Sequence, residues 1–208
     1  MKMGGDFHID VLASKIMNSP KAGPRRLVAL AGPPASGKST LAKALCENLN
    51  ASEHRTQVVS MDGFHLDNSV LERHGLLPRK GAPETFDLDW FTELVSGLAA
   101  GKTLYYPVFD RDRDISIASA GLIDERTETI LIEGNYLAYD VAGWRDLLPH
   151  WDLSMFLDVP EPQLRNRLLA RWKSYGMDDA EAEARAEMSD FPNAARVRKH
   201  RLPTTMMI

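Results

Sequence analysis

The stretch Gly32-Pro33-Pro34-Ala35-Ser36-Gly37-Lys38-Ser39 constrains this chain more than any other. It has the form G-x-x-x-x-G-K-[ST]. An apolar run, 26–31 (RLVALA), precedes it and reads as a buried strand. A helical pattern at about 38–50 follows, with Leu41, Leu45 and Leu49 on one stripe. Strand, glycine-rich turn and helix is the setting in which such a loop wraps phosphate. Successive backbone N–H groups and the positive end of the helix attract the anion. Proline has no N–H, so the nest is expected from residues 35–39. Gly32, Ala35, Ser36, Gly37, Lys38, Ser39 and Thr40 form the expected nucleotide contacts. Lys38 is expected at the β- and γ-phosphates, and the Ser39 hydroxyl on Mg²⁺. The chain carries no Asn-Lys-x-Asp guanine signature, so ATP is preferred to GTP.

Around this loop the pattern alternates. A helix is read at 6–18 and strands at 57–61, 129–132 and 153–159. A helix is read at 88–100, a short strand at 105–109 and a charged helical stretch at 161–200. An edge strand is read in the terminal TTMMI. Residues 63–86 are polar, rich in Gly and Pro, and without a period. Strands alternating with helices predict an α/β fold: about five parallel strands, helices on both faces and a helical lid. Residues 1–208 read as one domain. Its acceptor-binding excursions fall at about 63–87 and 103–125, and its lid at about 161–200.

In such sheets ligands sit beyond the C-terminal strand ends. Asp62 and Glu133 each follow an apolar strand and belong at that edge. Either carboxylate could accept a hydroxyl proton or serve Mg²⁺, and spacing does not divide the roles.

Bulk properties exclude several classes. The 208 residues are 44% hydrophobic and 26% charged, with a formal net charge of -4. A dominant nucleic-acid role lacks its basic footprint. The sequence has no apolar run of membrane-spanning length. One cysteine, Cys46, suits a reducing, cytoplasmic setting, and it is expected in the core. The composition is compatible with a homodimer.

Five ordered blocks, GPPASGKST, MDGFHLDN, RKGAPETFD, PVFDRDRD and LIEGNYL, resemble the P-loop kinases that include uridine kinase, phosphoribulokinase and bacterial pantothenate kinase. The likeness spans about 25–200 and is greatest to proteins labelled fructose-transport-system kinase or nucleoside/nucleotide kinase. It implies ATP, Mg²⁺ and phosphorylation of an alcohol group on a small metabolite: a sugar such as fructose, a nucleoside or a pantothenate-like acceptor. In that pattern Asp62 matches the general base and Glu133 the acid near Mg²⁺. Lys80-Gly81 and 84–87 match the pantothenate kinase block. Uridine kinases read more like D-S-F-Y where this chain has Asp62-Gly63-Phe64-His65.

Weaker constellations complete the set. Arg111 and Arg113 would share a face if their segment were extended, where they could bind a carboxylate or phosphate on the acceptor. Otherwise they pair with Asp110, Asp112 and Asp114. Arg167 and Arg171 share a helix face. Arg167 is expected at the transferring phosphate, and Arg171 and Asn193 among the nucleotide contacts. His65, Lys80, Phe109, Asn135 and Tyr136 are expected around the acceptor. A different reading is a nucleotide-dependent switch without small-molecule kinase activity. ATP consumption that rises with a small acceptor separates the two.

Overall fold

The structure, a computed structural model, describes residues 8–208. Helix α1 spans Ile9–Asn18; residues 6 and 7, which the sequence reading also assigned to it, lie outside the described residues. Strand β1 is Arg26–Ala31, helix α2 Lys38–Ala51 and strand β2 Thr56–Ser60. Strand β3 is Leu104–Asp110, β4 Ile115–Ile123, β5 Thr129–Gly134, β6 Leu153–Phe156 and β7 Met206–Met207. The main sheet runs β2-β5-β1-β6-β7, with every neighbouring pair parallel.

Side-chain alternation divides the core in two. Leu27, Ala29, Ala31, Ile130 and Ile132 face one side, where they meet Phe91, Leu94, Val95 and Leu98 of helix α4, Leu88–Ala99. Val28, Leu30 and Leu131 face the other, against Leu12 and Ile16 of α1 and Leu41, Leu45 and Leu49 of α2. All of β1 and β5 is buried, as expected of strands covered on both faces. Each fully buried leucine of α2 would cost about 2–5 kcal/mol if cut to alanine, so the helix behind the glycine-rich loop is firmly seated.

The aperiodic stretch 63–86 breaks into short pieces. They are a 3₁₀ turn at Met61–Phe64, helix α3 at Asn68–Arg73, and 3₁₀ turns at Leu77–Arg79 and Pro83–Thr85. Beyond it the structure corrects the sequence reading. Strand β4 was not foreseen; it pairs antiparallel with β3 as a separate two-stranded sheet. The register shifts at Pro107, which has no N–H to give a ladder.

Residues 111–114 form the hairpin turn rather than an extended segment. The Asp110 carboxylate accepts from the Arg113 backbone N–H at 3.0 Å and from its Nε at 2.7 Å. An aspartate that bonds its own chain in this way closes a turn. Arg111 and Arg113 therefore do not share a face.

The charged C-terminal stretch comprises helices α5 (Glu161–Ser174), α6 (Asp179–Arg185) and α7 (Phe191–Lys199). One π-helical turn, Ala186–Asp190, joins α6 to α7. Despite its charge this stretch buries Leu164, Leu168, Ala182, Ala186, Ala194 and Val197.

Candidate active site

The glycine-rich loop leaves β1 and enters α2 through Gly37, whose φ of 102° caps the helix. A side chain is strained at that angle. Lys38, the first helical residue, is buried, and its Nζ donates to the Pro33 carbonyl at 2.9 Å and to Ser36 Oγ at 3.4 Å. Burial pulls its pKa down to about 8, although Glu133 and Asp62 pull the other way. Ser39 and Thr40 are exposed at the loop's mouth. This is a cationic pocket whose lysine has only neutral oxygens as hydrogen-bond partners and gains by meeting an anion.

Glu133 sits on β5 beside Leu30 of β1 and Ser60 of β2 in the sheet register. It is buried, and its carboxyl is pushed up, first by burial and then by the charge of Asp62. Hydrogen bonds from Ser60 and Ser39 act against that rise. Ser60 donates to Glu133 Oε1 at 2.5 Å, and its Oγ also accepts the Asp62 backbone N–H at 3.3 Å. One serine thus ties the Glu133 carboxylate to the backbone of Asp62, although it was not itself foreseen. Its signal was its place: a small polar residue closing an apolar strand, two before Asp62.

Asp62 lies in the 3₁₀ turn after β2, the outer strand next to β5. Gly63 lets this turn rest on β3, because a Cβ there would stand 2.2 Å from the Pro107 carbonyl oxygen. Asp62 and Arg111 form an ion pair at 2.6 Å. Arg113 turns back to Asp110.

The other residues expected around the acceptor have separate employments. Lys80 Nζ donates to Asn68 Oδ1 at 2.6 Å and to the Asp114 carbonyl at 2.8 Å, and pairs with the Asp114 carboxylate at 2.9 Å. It also lies over the Phe109 ring, so it pins the hairpin tip. His65 is stacked between Phe86 and Phe109. Its Nδ1 donates to the Asp62 carbonyl at 2.8 Å, and burial lowers its pKa. The ring is therefore neutral near pH 7, with Nε2 left as an acceptor. Tyr136 is 0% exposed, and its hydroxyl donates to the Gly81 carbonyl at 2.7 Å. It supports the loop from within the core. Asn135 is half-buried just beyond β5.

From α5, Arg167 donates to the carbonyls of Ala35 (3.3 Å) and Ser36 (3.1 Å) on the glycine-rich loop. Arg171 lies over Trp172, 3.8 Å from Asp190, and its charge is felt at Lys38. Asn193 is buried beside Gly81 and Ser189, on the side of the 63–87 loop. The structure thus gathers Lys38, Asp62, Glu133, Arg111, Arg167 and Arg171 at one edge of the sheet, and sets Tyr136, Asn193 and Arg113 apart.

The donor set fits Mg²⁺. A serine hydroxyl and one buried carboxylate crowded by a second acid leave negative charge that a cation would relieve. Among the described residues no group of three or more His, Cys, Asp or Glu could cage a metal. Mg²⁺ needs none, since it commonly takes one or two carboxylates together with phosphate oxygens.

Comparisons with known proteins agree with this fold. The profile of the Phosphoribulokinase / Uridine kinase family matches residues 27–191. The YggC protein of Escherichia coli K12 is 36% identical over 176 residues, 83% of this chain and 73% of its own. The crystal structure of a protein from Silicibacter sp. TM1040, provisionally named a fructose transport system kinase, is 45% identical. It superposes with a TM-score of 0.93 over 97% of this chain and 99% of its own. A pantothenate kinase of Shewanella loihica is 30% identical over 161 residues, 72% of this chain and half of its own length.

Proposed function

This chain belongs to the Phosphoribulokinase / Uridine kinase family, and we propose on that premise that it moves the γ-phosphate of ATP onto an alcohol group of a small cytoplasmic metabolite. The observation that carries the reading is Asp62, whose carboxylate is held 2.6 Å from Arg111 and whose backbone amide is linked through Ser60 to Glu133 beside the phosphate loop.

In this reading Lys38 and the amides of residues 35–39 hold the triphosphate. Asp62 orients the acceptor hydroxyl and takes its proton. The new bond joins the acceptor oxygen to the γ-phosphorus, the bond from that phosphorus to the β-phosphate bridging oxygen breaks, and ADP leaves. Arg167 and Arg171 face the charge that spreads over the transferring group. Mg²⁺ held by Ser39 and Glu133 would neutralise phosphate charge when bound. The 63–87 loop and the β3–β4 hairpin form the acceptor side, and residues 161–200 the lid, whose closure excludes water.

The test is ADP release with ATP and Mg²⁺, with and without sugars, nucleosides, pantothenate and sugar phosphates. One acceptor should raise turnover sharply, and Lys38→Ala should lower that turnover by roughly 10²–10³-fold. A folded Lys38→Ala protein with unchanged turnover would overturn the reading.

A further inference from the structure

The cations on the acceptor side are not equivalent. Lys80 has a side chain only 9% exposed and is held by Asn68 and by two oxygens of Asp114. Arg113 points back into its own turn, with its guanidinium on Asp110. Arg79 pairs with Glu84, which also stands 3.7 Å from Arg196. None of these faces the carboxylate that receives the acceptor.

Arg111 does. It stands at the hairpin tip with a side chain 51% exposed, and its one hydrogen bond among the described residues runs from Nη2 to Oδ2 of Asp62. That oxygen is one of the two with which Asp62 could take a proton. A half-exposed ion pair of this kind is weakly held and readily exchanged, and a guanidinium is built to grip a carboxylate or phosphate with two parallel hydrogen bonds.

We propose that Arg111 covers Asp62 until an anionic group on the acceptor draws the guanidinium away, so that the substrate is an alcohol bearing a carboxylate or a phosphate. This rests on the kinase reading above and adds the class of acceptor to it. The anion replaces Asp62 as the partner of Arg111, and the acceptor hydroxyl replaces Arg111 as the partner of Asp62. Charge is conserved through the exchange. Water alone brings no anion, so Asp62 stays covered and ATP is spared when the acceptor is missing.

The test uses matched pairs of compounds: glycerate with glycerol, pantothenate with pantothenol, and fructose 6-phosphate with fructose. ADP release is measured in the wild type, Arg111→Ala and Arg111→Lys. In the wild type, stimulation should be confined to charged members, and which pair responds distinguishes carboxylate from phosphate. Arg111→Ala should raise KM for that acceptor roughly 10- to 100-fold, the usual consequence of losing a hydrogen bond to a charged group. The same variant should hydrolyse ATP faster than the wild type with no acceptor present. Arg111→Lys should recover part of the KM loss, which repair of a merely structural defect would not do.

A neutral member that stimulates as well as its charged partner overturns the proposal. So does a KM in Arg111→Ala within twofold of the wild type. If no compound stimulates, the acceptor-free rate decides, and equal hydrolysis in wild type and Arg111→Ala overturns it. The kinase reading fails separately, when no ADP release in any arm depends on Lys38.

Discussion

Ser60 and Glu133 face each other across the β2–β5 ladder, and the serine hydroxyl donates to the carboxylate at 2.5 Å. Because the same oxygen accepts the Asp62 amide, the position of one acid is fixed relative to the other. Ser60→Ala should leave a buried carboxylate short of a donor. A loss of about 1–3 kcal/mol is typical of such a deletion, and a denaturant titration would register it. The Mg²⁺ concentration giving half-maximal turnover should rise in the same variant. An unchanged midpoint together with an unchanged Mg²⁺ requirement would count against the tie.

Glu133 carries a cost in the resting protein. Burial and Asp62 raise its folded pKa above the ordinary 4.5, so between those two values the native state binds more protons than the unfolded chain. Stability therefore falls as pH rises through that window, and the penalty is fully present above the raised value. Glu133→Gln should melt higher than the wild type at neutral pH without ligand, and the advantage should shrink as pH drops toward 4.5. Turnover at limiting Mg²⁺ should meanwhile fall. A variant less stable than the wild type at neutral pH would contradict this account.

Lys38 predicts a pH dependence of the opposite sense, in binding. Its free pKa of about 8 must rise when phosphate arrives, so ATP binding takes up protons near and above that pH. Affinity should be greatest below pH 8 and decline as the lysine deprotonates. Calorimetry in two buffers of different ionisation enthalpy would reveal the uptake, and Lys38→Ala should abolish it. Proton release on binding would reverse the sign and refute the assignment.

The two acids should separate by phenotype. Asp62→Asn keeps the shape but loses the proton acceptor, so ATP affinity should survive while acceptor-dependent turnover drops by roughly 10²–10⁴-fold, the usual contribution of a general base. Glu133→Gln should shift the Mg²⁺ requirement, with partial rescue by excess metal. Parallel titrations of ATP binding and Mg²⁺-dependent turnover decide the matter. The reverse pairing of phenotypes would exchange the roles.

Gly63 is a packing prediction. A methyl group there meets the backbone of Pro107 at 2.2 and 2.8 Å, and backbone cannot swing aside as a side-chain tip can. Gly63→Ala should cost about 1–3 kcal/mol, as overpacking generally does. It should also push Arg111 away from Asp62, because the hairpin carries that arginine. Wild-type stability in urea would show that β3 yields more easily than the contact implies.

Much of this could be read in the chain because it is local. The phosphate loop is contiguous, its strand is a solid apolar run, and Glu133 follows another. The edge strand read in the terminal TTMMI is present as two residues, Met206–Met207, beside β6. Strand β4 was hidden because ISIASAGLI offers alanine, serine and glycine where a strand pattern needs β-branched or aromatic residues. The Asp62–Arg111 pair joins residues 49 positions apart; no period or spacing in the sequence announces it. The extended reading of 111–113 failed because Asp110 had a nearer partner in its own turn. Tyr136 fell among the expected acceptor contacts by proximity to Glu133, yet its ring belongs to the aromatic cluster with Phe86, Tyr139 and Trp144.

The β3–β4 ribbon has no ladder in common with the five-stranded sheet. Its register is set by its own pairing and by the resting place at Gly63, not by the strands that hold the phosphate loop. Changes at its tip need not disturb those strands. Heritable variation can thus alter the arginine-bearing turn while the ATP half stays intact, so descendants of one ancestor could exchange acceptors without first losing the ability to fold.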